Sequence, residues 1–374
     1  MASLLELSHE LLHCIFTSLS PNELSVVSRT CKDLNSYISG NKLLHKDIYL
    51  QRYDQPESDI NWETEVHDLI KLEKILESPV RQVKRDDLEF AASRIDYLLD
   101  TSSTDPDPEK SLNLQLLQNL FADTANIDAL LCSSALFGRV GGDGQIPAAT
   151  EELRQTSAKL HCMYGVPIDE IPTHEEFSIS RRNSLELSPS SCTRLRTRPR
   201  QTHTFARSKV YDLRQYTDAT LWGPFRDDGS QRVDWEKVEA IMIVLGYNLK
   251  EFTKRSDGRF PMIWDEPFVG ATPKSFISPP IPSSATAEQV EEIDSDLLKI
   301  RELALDLDAQ DPYGVSGTWM RVVCFLDFND LYAFNFSPGL RAGDQRPPID
   351  TEEGEGTERR ALCVAILTKK QPSD

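Results

Sequence analysis

Residues 4–53 place Leu, Ile, Val, Phe or Tyr at twenty of fifty positions, and this density constrains the chain more than any other feature. The periodicity is helical. From about Ser8, the side chains Leu11, Leu12, Ile15, Phe16 and Leu19 fall on one broad stripe of a helix. Ser20-Pro21-Asn22-Glu23 announces a second helix: Ser20 suits the N-cap, Pro21 the first turn, and Glu23 the reciprocal position of a capping box. Its apolar positions Leu24, Val27, Cys31, Leu34 and Ile38 step by three and four, and Gly40 offers a left-handed C-terminal cap. A third helical stretch follows over 43–53. Three short helices cannot hide twenty large apolar side chains among themselves, because so small a unit keeps much of its surface exposed. Some of them must cover another surface. Five such side chains, at about 1.5–3 kcal/mol each, would contribute about 7–15 kcal/mol gross to that contact before association costs.

The run Leu7-Ser8-His9-Glu10-Leu11-Leu12-His13-Cys14-Ile15-Phe16-Thr17-Ser18-Leu19-Ser20-Pro21-Asn22-Glu23-Leu24, followed by Val27, Ser28, Arg29, Cys31 and Lys32, resembles the F-box motif in order and spacing, without a gap. The resemblance implies that the first two helices pack on a Skp-type linker protein, which in turn tethers a cullin and its RING partner. Mapped position by position, the implied docking set is Leu7, Leu11, Leu12, Ile15, Phe16, Leu19, Pro21, Leu24, Val27 and Cys31. Departures are small. Ser8 stands where the family has proline, but serine is a good N-cap; Leu34 and Leu44 stand where tryptophan is common and keep the apolar character. The implied role is that of substrate-recognition subunit in an SCF-type ubiquitin ligase, acting in proteasomal degradation. The alternatives are a module binding a small apolar ligand and an F-box protein working outside a ligase.

At 374 residues the chain should hold two or more units. A formal charge of -19 opposes a nucleic-acid partner, since phosphate binding draws on Lys and Arg. No apolar run approaches the length of a membrane span. The opening MASLLELSHELL carries Glu6 and His9 and lacks a basic flank, which reads against a secretory signal and for a cytoplasmic or nuclear location. The seven cysteines are odd in number, scattered and never in a CxxC pair, as expected of reduced thiols. Neither an HExxH nor a Cys/His ligand set occurs, so no metal or other cofactor is expected. His161-Cys162 are adjacent and point to different helix faces, a poor dyad. With no GxSxG and no glycine-rich phosphate loop, the chain reads as a non-catalytic adaptor.

The expected fold class is α+β: a three-helix F-box (1–53) and a helical linker bundle (54–165), a disordered basic linker (166–207), and a substrate-binding α+β domain (208–374). Within the bundle, helices are expected over 63–78, 85–100, 110–135 and 148–163. Between residues 181 and 209, Arg181, Arg182, Arg194, Arg196, Arg198, Arg200, Arg207 and Lys209 stand against Glu186 alone, a basic island in an acidic protein. Ser184 and Ser188 lie there in kinase-like contexts. In the C-terminal half, 210–213 reads as a short strand, and Asp234 as the cap of a helix carrying Val238, Ile241, Met242, Leu245 and Leu249. Antiparallel strands are expected over 311–326, 331–336 and 360–367. Gly317-Thr318-Trp319 resembles the opening of lipocalin-type barrels, and three strands would leave that barrel incomplete or the chain truncated. The candidate substrate surface is aromatic: Trp222, Phe225, Trp264, Phe268, Trp319, Phe334 and Phe336. As a whole the segments of this half resemble uncharacterised F-box proteins of filamentous fungi.

Overall fold

The computed structural model describes residues 7–103, 111–140, 147–166, 168, 202–255, 266–273, 275, 328–336 and 345–349. Each helix of the first unit begins at a capping side chain. Ser8 accepts from Leu11 N ahead of α1 (His9–Thr17). Ser20 and Glu23 close a capping box at α2 (Pro21–Ser28), with Glu23 N to Ser20 Oγ at 3.3 Å and Ser20 N to Glu23 Oε2 at 2.8 Å. The second helix expected from sequence ends early. The hydroxyls of Ser28 and Thr30 bond back to the carbonyls of Ser25 and Val27 at 2.9 and 2.7 Å, competing with the helix ladder. Cys31 then caps a separate α3 (Lys32–Ile38). Gly40 takes φ +73, the left-handed conformation anticipated for it. Asn41 caps α4 (Lys42–Leu50) through Leu44 N at 3.1 Å.

The next helices are α5 (Trp62–Glu77), α6 (Arg81–Asp86), α7 (Leu88–Asp100) and α8 (Leu112–Phe121). A short α9 (Thr124–Asn126) runs into a π-helical turn at Ile127–Leu131, followed by α10 (Ala135–Val140) and α11 (Glu151–Tyr164). The apolar faces of α1 through α5 and of α7, α8 and α11 meet, with the π-helical turn, in one continuous core. Leu12, Phe16, Leu24, Leu44, Ile48 and Tyr49 from the first four helices join Leu69, Leu72, Ile95, Leu117, Leu130 and Leu160 within it. Polar ties reinforce the seam: Arg52 Nη2 reaches both oxygens of Glu73 at 3.0 and 2.8 Å, and Tyr53 donates to Glu73 at 2.7 Å.

Beyond α11 come α12 (Thr202–Val210), α13 (Trp235–Arg255) and α14 (Phe328–Phe336). Asp234 caps α13 as expected, with Lys237 N at 3.2 Å from its Oδ1. A small second core gathers Leu136, Ala206, Ala240 and Val244. The expectation of an α+β C-terminal half with antiparallel strands is overturned. Among the described residues there is no strand, only an isolated antiparallel bridge between Phe225 and Val233. The segment 210–213 is the end of α12 leading into a 3-10 turn, Leu213–Gln215. Residues 331–336 are helical because their aromatic positions suit a four-residue step: the tilted rings of Tyr332 and Phe336 meet at 5.0 Å, and Asn335 Nδ2 donates to Leu331 O at 3.0 Å. No incomplete lipocalin-like barrel emerges from these residues. The Gly317-Thr318-Trp319 motif and the strands expected over 311–326 and 360–367 lie outside the described residues.

Candidate partner-docking surface

The α1 helix has two apolar faces. Its inner face, Leu12 and Phe16, is 6% and 1% exposed and belongs to the shared core. Its outer face carries Leu11 and Ile15, four residues apart and 53% and 37% exposed. Cross-links hold that outer face in place. Tyr37 donates to His9 O at 2.9 Å and stacks on the His9 ring, while His13 Nε2 sits 2.7 Å from Asp47 Oδ2. α1 is therefore held as a ridge against α3 and α4.

The ten residues of the expected docking set separate into three groups. Leu11 and Ile15 are exposed; Leu12, Phe16, Pro21 and Leu24 are buried within the chain; Leu7, Leu19, Val27 and Cys31 are half-buried against the core. Two exposed apolar side chains were missed, Val26 at 55% and Leu43 at 60%. The signal for Val26 was available: it lies two residues from the buried Leu24, and so on the opposite side of α2. About half a side chain is left exposed on each of Leu11, Ile15 and Val26, so covering them yields about 2–4 kcal/mol gross. Association costs about 4–15 kcal/mol. A stable complex must also recruit the half-buried members and polar contacts along the ridge.

The aromatic set expected to hold a substrate does not form one surface. Trp222 and Phe336 are 66% and 59% exposed, Phe225 and Phe334 are half-buried, and Trp264 and Trp319 lie outside the described residues. Phe268 is fully buried, wedged edge-on against Phe121 and Tyr164 at 5.0 and 5.4 Å. It is a core residue.

His161 of the His161-Cys162 pair sits against a buried carboxylate. His161 Nδ1 lies 2.8 Å from Glu239 Oε1, and Ser134 donates to Glu239 Oε2 at 2.7 Å, so this buried carboxylate joins α10, α11 and α13. Burial, and then the charge of Glu239, pushes the Cys162 thiol far above its ordinary range. A protonated thiol there is a poor nucleophile. Among the described residues no group of three His, Cys, Asp or Glu side chains is placed to hold a metal ion, and no helix is long and apolar enough to cross a membrane.

Residues 7–51 match the family model described as F-box-like. They comprise the capped helices α1 to α4 and the exposed ridge. The chain carries an F-box-like domain over these residues, and that domain shares its core with the helices that follow. No curated protein and no solved structure matches the chain.

Proposed function

We propose that the chain is the substrate-recognition subunit of an SCF-type ubiquitin ligase. The ridge of α1 and α2 binds a Skp-type linker protein, the linker joins it indirectly to a cullin, and the remainder of the chain holds a protein substrate for proteasomal degradation. The observation that carries this reading is the outward apolar pair Leu11 and Ile15 on a helix whose other face is fixed in the core, within a segment matching the F-box-like family. The chain makes and breaks no bond itself. Its contribution is proximity: holding a substrate beside the charged conjugating enzyme raises the effective concentration of the reacting lysine.

The rigid seam between α4 and α5 supports the same reading, since a receptor must hold its substrate at a fixed distance from the ligase core. Of the expected substrate residues, Trp222 and Phe336 have the exposure such a contact needs. The alternative of a small apolar ligand has less support. The partly open pocket between α11, α12 and α13, lined by His161, Thr202, Met242 and Tyr247, measures only about 40 Å3, room for a few waters.

Co-purification tests the proposal. With proteasome activity blocked, the full chain should bring down a Skp-type protein together with ubiquitin-modified species, and the Leu11→Asp plus Ile15→Asp variant should bring down neither. Equal recovery with both forms would contradict it.

A further inference from the structure

A cleft of about 590 Å3 lies between α10, the end of α12, the turn at Leu213–Gln215 and Arg346. Four of its lining side chains are cations, Arg139, Lys209, Arg214 and Arg346, against a single carboxylate, Asp212. In a chain of net charge -19, four cations around one carboxylate give this cleft an excess of positive charge. The carboxylate is already taken. Arg214 grips it with two bonds, Nε to Oδ1 at 2.9 Å and Nη2 to Oδ2 at 2.8 Å.

Arg346 is 5% exposed, and its guanidinium is only partly satisfied. Nη2 donates to Asn335 O at 2.9 Å, and Nε is 3.8 Å from Asp212 Oδ1, an ion-pair distance without a hydrogen bond. Neither Nε nor Nη1 has a hydrogen-bond partner. A buried guanidinium with open donors is costly. Its backbone is nevertheless pinned in place: Arg346 O accepts from Arg139 Nη2 at 2.9 Å and from Ser208 Oγ at 3.3 Å. Among the described residues, Lys209 pairs with Glu236 at 3.9 Å.

We propose that this cleft binds a phosphate-type oxyanion. A tetrahedral dianion in the cleft supplies the counter-charge that Asp212 cannot provide for four cations. The volume exceeds that of one phosphate, so the group can arrive free or attached to a side chain. The site is independent of the ligase reading, since nothing in it touches the F-box ridge.

Calorimetric titration of the full chain at low ionic strength tests the site with three probes: inorganic phosphate, a phosphoserine peptide, and the same peptide unphosphorylated. Saturable binding of the first two and none of the third is expected, with a tighter phosphoserine arm marking a side-chain ligand and equal affinity marking free phosphate. Lys209→Gln should weaken binding about tenfold, as loss of one charge-assisted contact does. Lys32→Gln, on the distant α3, should leave it unchanged. Absence of saturable binding, or equal weakening by the two variants, would overturn the proposal.

Discussion

Asp54, in the link between α4 and α5, collects more hydrogen bonds than any caps of the helices around it. Its carboxylate accepts from Ser103 N at 2.9 Å, Leu112 N at 2.9 Å, Asn113 N at 3.4 Å and the Ser111 hydroxyl. It is 9% exposed, so removing it strands buried donors at the start of α8. Asp54→Ala should lower stability by about 3 kcal/mol, read as a shift of the denaturation midpoint at unchanged slope. Asp212 makes a pH-dependent contribution. Burial works to raise its pKa, but hydrogen bonds from Arg214 and the charges of Arg214 and Arg346 outweigh this and hold the carboxyl below its ordinary 3.8. A carboxyl depressed by folding stabilises the native state above that value, and the contribution fades as pH falls through the folded one. Asp212→Asn should therefore be less stable than the parent at neutral pH, with the gap closing below pH 3.8. A gap that stays constant in acid would show that the carboxylate charge is not what Asp212 contributes.

At the scale of elements, the two faces of α1 make opposite predictions. Phe16→Ala empties a site in the core and should cost about 3–5 kcal/mol. Leu11→Ala touches only the exposed face and should stay within about 0.5 kcal/mol of the parent in the same unfolding assay. The caps of this region were legible in the sequence because Ser20, Glu23 and Asp234 act within three residues of themselves. The break between α2 and α3 was not, since Leu24, Val27, Cys31, Leu34 and Ile38 keep helical spacing straight through it. The α12 helix begins at Thr202, within the stretch expected as basic linker, and what it buries is small or polar: Thr202, Thr204, Ala206 and Ser208. Hydrophobic periodicity has nothing to detect in such a helix. In α14 the aromatic residues that suggested a strand suit a helical repeat equally well, and short apolar runs do not distinguish the two.

Across the whole molecule, the F-box-like domain and the bundle share one core, because Leu44, Ile48, Tyr49 and Tyr53 pack with Val66, Leu69 and Leu98. Deleting residues 1–53 should therefore leave an aggregation-prone remainder without a cooperative unfolding transition, where a separable module would leave a folded one. This coupling also corrects the arithmetic of exposed surface. The sequence shows more apolar side chains than three helices can bury, but composition alone cannot show that the later helices cover most of them. The apolar side chains of residues 7–51 left outward are Leu11, Ile15, Val26 and Leu43, and the central claim is that a Skp-type linker protein covers the outer face of α1. The most direct measurement is the affinity of the purified full chain for such a linker, compared with the Leu11→Asp plus Ile15→Asp variant. Binding weakened about a hundredfold, a loss of about 2.8 kcal/mol, with the unfolding midpoint unmoved is the predicted result; undiminished affinity in an equally stable variant would contradict the account.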